Sequence, residues 1–404
     1  MFRSFAAVVA AAMLCGCVPE EFMLRINKEE RTPVTVAALL PLSGANRIYA
    51  EQMRQGLLCA ETEINANGGI GGRQMILRFI DTRGDAVGTR DAVAQAEKLN
   101  AAGLIAGYNT EEVSRIIEHS SRLRMPTVIP LATSMYHLQV SPFVYRNAYS
   151  DAQQMEMLAA YMRAWRSLTR GAVLIDPVDA PEYSRGIARN FAQAVTDQGG
   201  EIVGTTILPD NGDIPVDTIR SILVAAPQFI MVPSQGKRAA DILKKLRLGG
   251  FTGIICGPDS WDDTSFIDAL VGFEPGDCVY TAFFSPENPS PEFESFRKTF
   301  RARFFHNPEA CETQSYDALK FLVIGLTGVD NLLDFDRNWQ SIRNHSGAAA
   351  VYTMLKKGDI DRTIYLNSIG VRRGGGKIIP YARLSRKMQY SQLEEYKVLE
   401  SPDK

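Results

Sequence analysis

The stretch Val34-Thr35-Val36-Ala37-Ala38-Leu39-Leu40-Pro41-Leu42-Ser43-Gly44, with Glu63-Ile64-Asn65-Ala66-Asn67-Gly68-Gly69-Ile70-Gly71-Gly72 closing the segment after it, decides the fold. The first string is β-branched and apolar at consecutive positions, as in a strand buried on both faces of a parallel sheet. Between the two, Ile48, Leu57, Ala60 and Ile64 lie roughly on one helical face, and the glycine cluster then breaks the chain before Met75–Asp81. Further runs follow at Leu104–Gly107, Thr127–Leu131, Ala172–Ile175, Glu201–Leu208, Phe229–Val232, Gly253–Cys256 and Cys278–Phe284. Short buried strands alternating with amphipathic stretches predict right-handed βαβ units and a doubly wound α/β fold.

A chain of 404 residues exceeds what one hydrophobic core holds, so two lobes are expected. The series divides near Tyr145–Asp151, after which Ala152–Leu168 reads as a long amphipathic helix and a second series begins at Gly171. Two similar lobes joined by crossings, with a hinge and a ligand cleft between them, are favoured over tandem domains. Ligands of open α/β sheets bind beyond the carboxyl ends of the strands. Composition is that of a folded chain, 45% hydrophobic and 22% charged. A formal net charge of −2 and the absence of a basic block in the sequence give no reason to expect nucleic acid.

Residues 1–17 read as an address. Arg3 precedes an unbroken apolar run, Phe5–Leu14, too short to span a bilayer but suited to a signal peptide. The run ends in Leu14-Cys15-Gly16-Cys17, which resembles a bacterial lipobox with Cys17 as the lipidated residue. The other reading is an ordinary signal peptide with Cys17 a plain thiol. Residues 18–32 form a polar tether. No later stretch has the apolar length of a transmembrane helix. Of the remaining cysteines, Cys59 falls in a predicted helix and Cys256 ends a predicted strand, so buried free thiols are expected. A Cys256–Cys278 bridge is the alternative.

Catalytic signatures are missing. There is no G-x-S-x-G, the nearest string being Val232-Pro233-Ser234-Gln235-Gly236, and neither a zinc motif nor a phosphate loop. His119, His137, His306 and His345 are scattered. Asp262-Asp263 and Glu29-Glu30 read as solvated or capping carboxylates, and Arg372-Arg373 beside Gly374-Gly375-Gly376 as a basic turn. Neither a metal, nor a cofactor, nor an enzymatic activity is expected.

The ordered set of strings from Val34 to about Pro380 resembles the type I periplasmic binding proteins of ABC transporters, in particular the leucine/isoleucine/valine binders. It comprises the two strings quoted first, Gly56, Asp81, Pro130-Leu131-Ala132-Thr133-Ser134, Gly257-Pro258-Asp259, and a late Gly358-Asp359 with Ile364-Tyr365-Leu366 and Gly376-Lys377-Ile378-Ile379-Pro380. With that resemblance the organisation becomes a signal peptide at 1–16, a tether at 17–32, one lobe from 33–150 plus 285–355, a second from 151–284 plus 356–390, and a tail at 391–404.

The resemblance implies site residues. Thr110, and Ala132 with Thr133, match positions that hold an amino acid's carboxylate with N–H and O–H donors at strand-to-helix turns; a plain cap or turn is the other reading. Asp259 matches the acidic residue that meets the ammonium. Tyr183 matches a tyrosine lining the second lobe, and Tyr49 an aromatic covering the ligand. Gln235 stands where the branched-chain binders have an aromatic, and Trp261 lies just past Asp259. Glu111 and Glu112 follow Thr110 in the first helical turn. Facing the ligand they would favour a cationic, amide or neutral one; facing away they leave an amino acid as the ligand.

The function so implied is an exported, lipid-anchored solute-binding protein that binds an amino acid, amide or similar small molecule and presents it to an ABC permease. A ligand-sensing or regulatory lipoprotein on the same fold, such as an activator of cell-wall synthesis, is the alternative.

Overall fold

The computed structural model describes residues 32–398 apart from 121–122, 135, 179, 211–212, 286, 288–289 and 375–376. The signal peptide, Cys17, nearly all of the tether and the last residues of the tail lie outside the described residues. The first series runs β1 (Val34–Leu40), α1 (Arg47–Ala66), β2 (Met75–Asp81), α2 (Ala86–Lys98), β3 (Gly103–Ile105), α3 (Thr110–Ser120), β4 (Thr127–Ile129), α4 (Tyr136–Val140) and β5 (Val144–Arg146). The second runs α5 (Asp151–Ala160), a π-helical turn at Tyr161–Trp165, β6 (Arg170–Ile175), α6 (Pro181–Asp197), β7 (Glu201–Ile207), α7 (Val216–Ala225), β8 (Phe229–Met231), α8 (Gly236–Leu248), β9 (Ile254–Gly257), α9 (Thr264–Ala269) and β10 (Cys278–Ala282). Then come α10 (Pro291–Phe304), α11 (Ala310–Leu326), α12 (Leu332–Ser341), β11 (His345–Ser346), β12 (Val351–Met354), β13 (Ile360–Gly374), β14 (Lys377–Gln389) and α13 (Leu393–Val398).

The chain forms two compact units. One runs to Ala148 and adds Ser290–Ala348 and Tyr352–Ile360; the other is Tyr149–Pro289 with Ala349–Val351 and the chain from Asp361 onward. In the first, the sheet order is β2-β1-β3-β4-β5 with every pairing parallel. In the second, β7-β6-β8-β9-β10 repeats that order in parallel, and β13 adds antiparallel to β10. Both are doubly wound with a topological switch point beside the first strand, between β1 and β3 and between β6 and β8.

Local chemistry explains the strings that decide the fold. Val36 to Leu40 are 0% exposed, so both faces of β1 are covered. Ala37 and Leu39 join a core with Ile80, Val93, Leu104, Ile116 and Ile129. At the end of α1, the Gly69 N–H reaches the Ile64 carbonyl at 2.9 Å. Gly69 has φ +71°, and a β-carbon there would lie 1.9 Å from the Arg73 carbonyl oxygen. Asn65 clamps the next strand with its whole amide, giving to the Met75 carbonyl at 2.9 Å and accepting the Met75 N–H at 2.8 Å. Asp81 ties the β1 and β2 ends together by accepting the Ser43 hydroxyl at 2.6 Å and its N–H at 3.2 Å.

Several expectations change. Ile48 is 63% exposed; the buried stripe of α1 is Met53, Leu57, Ala60 and Ile64, since residue 48 sits in the first turn before the helix meets the core. The helix expected over Ala152–Leu168 is α-helical only to Ala160 and then widens to a π turn. β5 and the β13–β14 pair carry no long apolar run and are additions to the sequence reading. Cys59, Cys256 and Cys278 are buried free thiols and Cys311 a half-buried one, so the Cys256–Cys278 bridge is not formed. Among the described residues no helix is long and apolar enough to cross a membrane, and no group of three or more potential ligands is placed to hold a metal.

Gly56 lets α11 lie against α1, because a β-carbon there would stand 2.1 Å from the Glu312 carbonyl oxygen. That approach seals Glu312 at 0% exposure. One carboxylate oxygen accepts the Glu309 N–H at 3.1 Å while the other has no partner. Burial, offset only partly by backbone hydrogen bonds, pushes its carboxyl up to about 7 from 4.5. A carboxyl that holds its proton longer folded than unfolded loses stability as pH rises through that window. The melting temperature of Glu312→Gln relative to wild type should therefore climb between pH 4.5 and 7 and level off above. A flat difference across that range would show that Glu312 does not titrate there.

Candidate functional site

In the first unit, the residues expected to hold a carboxylate follow the carboxyl ends of the neighbouring strands β3 and β4. Thr110 opens α3, and Asn109 just before it accepts the Glu112 N–H at 2.9 Å, the hydrogen bond of a helix N-cap. Thr133 follows β4 and is 2% exposed, and its hydroxyl has no hydrogen-bond partner among the described residues. The Arg146 guanidinium sits beneath it, donating to the Thr133 carbonyl at 3.4 Å and to Asp359 at 2.6 Å. Asp359, part of the late Gly-Asp string, thereby steadies the Thr133 turn through Arg146. Ala132 is 4% exposed beside it.

Tyr49 stacks face to face on Tyr108, with centroids 4.4 Å apart and 5° between the ring planes. Tyr108, which sequence reasoning missed, lies in the loop after β3; its only signal was that position. The direction of the acidic pair is now visible for Glu112. It turns into the body of the unit, 2% exposed, accepting the Thr82 hydroxyl and the Tyr108 N–H. Gly107 leaves it room, since a β-carbon there would be 2.3 Å from its carboxylate. Burial raises its pKa against the pull of Thr82. Because Glu112 takes the Tyr108 N–H just before α3 and Asn109 takes the Glu112 N–H in its first turn, this end offers an incoming anion less than a bare helix N-terminus would. The unfilled donor capacity rests with the Thr133 turn.

In the second unit the chemistry centres on Asp259, in the turn after β9. Its Oδ1 accepts the Tyr183 hydroxyl at 2.7 Å and the Gln154 amide at 2.9 Å. Gln154 is itself oriented by the Thr281 hydroxyl, which donates to its Oε1 at 2.6 Å. Oδ2 has no hydrogen-bond partner among the described residues, although the residue is only partly exposed. Gln154 also donates to Asp151 at 3.2 Å, so a second carboxylate stands nearby. Burial pushes the Asp259 carboxyl up to about 6; Tyr183 and Gln154 pull it down and the Asp151 charge pushes it up. Tyr183 is driven well above the usual phenol range, by burial first and Asp259 second. Gln154 gave no sequence signal beyond following a helix-starting Ser150 and Gln153.

Gln235 stands at the N-terminus of α8 with no side-chain cap and no side-chain partner among the described residues. Trp261 requires a correction. It is 0% exposed, its indole N–H gives to the Val232 carbonyl at 3.2 Å, and its ring packs 4.5 Å from that of Phe266. Asp259 and Trp261 open and close one 3-10 turn, the acid partly exposed and the indole fully buried. Trp261 is core, and Gly257 is a glycine because a β-carbon there would lie 2.1 Å from the indole.

The profile of the periplasmic binding protein family matches residues 33–359. A Leu/Ile/Val-binding protein of Rhizobium johnstonii is 28% identical over 335 residues, 80% of this chain and 84% of that one. A Leu/Ile/Val-binding protein homologue of Brucella melitensis is 23% identical over 239 residues, 58% of this chain and 63% of that one, somewhat under two thirds of its length. Among solved structures, the branched-chain amino acid transporter substrate-binding protein of Streptococcus pneumoniae, in complex with isoleucine, superposes with a TM-score of 0.71 at 18% identity, covering 87% of this chain and 100% of that one.

Keeping Asp259 charged works against the fold. Its carboxyl stays protonated to about 6 when folded against 3.8 when free, so stability falls across that window and the loss is complete above it. Asp259→Asn, melted at pH 7.5, should be at least as stable as wild type. A drop of several degrees would make Asp259 a structural residue.

Proposed function

The chain belongs to the periplasmic binding protein family, a family of transport binders and not of enzymes, and from that premise we propose that it is the extracytoplasmic solute-binding lipoprotein of an ABC importer with an amino acid as its ligand. The observation that carries this reading is the half-satisfied carboxylate of Asp259: one oxygen doubly held, the other without a partner among the described residues. A carboxylate positioned in that way is pre-organised for a cation, and a charge-assisted hydrogen bond contributes about 1.5–3 kcal/mol. The Thr133 turn, with Thr110 and the Ala132 backbone, supplies donors for the ligand's carboxylate. Tyr183 positions Asp259, while Tyr49 and Gln235 border the side chain of the ligand. The polar Gln235 favours a ligand other than a purely aliphatic amino acid, such as one with a polar or amide side chain. The loaded protein then presents the ligand to a permease.

Calorimetric titration of the full chain against a panel of amino acids and their amides tests this. At least one member should bind at pH 7.5, and Asp259→Asn should weaken it at least about tenfold. No heat from any member, or unchanged affinity in the variant, would sink the assignment.

The address is part of the same proposal. Leu14-Cys15-Gly16-Cys17 supports lipid attachment at Cys17, with the preceding residues removed. Intact mass of the membrane-extracted protein should correspond to a chain starting at Cys17 plus acyl chains, and Cys17→Ser should move the protein to the soluble fraction. A mass matching an unmodified thiol at Cys17 would favour the ordinary signal peptide.

A further inference from the structure

The chain is nearly neutral overall, yet from Thr363 to Leu393 it has six basic residues (Arg372, Arg373, Lys377, Arg383, Arg386 and Lys387) and no acidic one. They are too spread out to read as a basic block. The β13–β14 pairing gathers them, and all six are exposed. Pairing of Arg372 with Ile379 and of Ser368 with Arg383, and a register shift at Leu366/Asn367 that pairs Leu366 with Arg386, set the two faces of the hairpin. The inner face is occupied: Arg373 pairs with Glu274 at 2.8 Å, and the Gly272 N–H gives to the Ile378 carbonyl at 2.9 Å. The nearby Glu287 carboxylate accepts the Leu384 N–H at 2.9 Å.

The outer face is different. Arg372, Lys377, Arg383 and Arg386 have no carboxylate partner among the described residues. Arg372 lies 4.5 Å from the centroid of Tyr381, and Arg386 4.0 Å from that of Trp165. Ile379, 48% exposed, stands on the same face. Unpaired cations with apolar stems, aromatic rings beneath them and one exposed aliphatic side chain form the mixture that suits a bilayer interface.

We propose that this face docks on an anionic phospholipid surface. Each basic residue close to such a surface adds attraction, and several together give binding that no single one would give. The N-terminal sequence favours lipid over an acidic protein as the occupant. That preference rests on the lipid attachment proposed above: with Cys17 in the bilayer, residues 18–32 even fully extended would keep the folded chain within about 50 Å of it. The effective concentration of lipid at the face is then high enough for weak docking to be populated.

The protein carries its own reporter. Trp261 and Trp339 are 0% exposed, so Trp165, half-buried under Arg386, is the tryptophan at this face. The full chain is mixed with vesicles of brominated phosphatidylglycerol or of brominated phosphatidylcholine, and tryptophan quenching is read. Quenching should appear with the anionic lipid only and vanish at about 0.5 M salt, where the screening length is only a few ångströms. The triple variant Arg372→Glu, Lys377→Glu and Arg383→Glu should weaken it more than tenfold with an unchanged melting temperature, and Ile379→Ser should reduce it by a smaller factor. A lipid chain at Cys17 alone would not bring bromine to Trp165, so anchoring does not mimic the result. Equal quenching by both lipids, none by either, or full quenching with the triple variant would overturn the proposal. So would docking that needs a permease reconstituted in neutral lipid, which would assign the face to an acidic protein surface.

Discussion

A carboxylate held by one of its oxygens is the constraint on which the second unit's site depends. Asp259 is anchored through Oδ1 by Tyr183 from α6 and Gln154 from α5, and Gln154 is set by Thr281 on β10. Three elements thus fix one turn and leave Oδ2 as the open valence. Burial and the neighbouring Asp151 make the charged state unfavourable, as the upward displacement to about 6 records. A group kept at a cost to folding is better explained by what it binds than by what it stabilises. The same turn sends Trp261 into the core, two positions from the carboxylate proposed for recognition.

The two units use one topology for opposite polarities. Each has the strand order second-first-third-fourth-fifth, and in each the turns after the third and fourth strands carry the polar groups. In the first unit these turns hold Thr110 and Thr133, hydroxyl donors. In the second they hold Gln235 and Asp259, an amide and an acid. The first unit also shows restraint: Glu112 and Asn109 take amides in and just before the first turn of α3, and the Thr133 turn, braced by Arg146 and Asp359, keeps a hydroxyl without a partner among the described residues.

Where sequence and structure agree, the residue has one dominant reason to be there. The uninterrupted apolar β1 string is covered on both faces, and the asparagine-and-glycine string is explained by a strand clamp and a positive-φ turn. The doubly wound pattern follows from such local rules. Trp261 was misplaced because position in sequence near Asp259 does not reveal which side of a 3-10 turn faces the core. Gln154 and Tyr108 were invisible because their roles arise from contacts with residues distant in sequence, Asp259 and Thr281 for one and Tyr49 for the other, rather than from any pattern near them. The hairpin face escaped notice for the same reason: its charges are dispersed along the chain and become a surface only through cross-strand pairing.

The central claim is that Asp259 reads a ligand's ammonium. It is tested most directly by calorimetry at pH 7.5, comparing the tightest-binding amino acid with the same molecule lacking its amino group. The account predicts that the amino acid binds and that its deaminated analogue loses at least about tenfold in affinity. Equal binding of the two would contradict it.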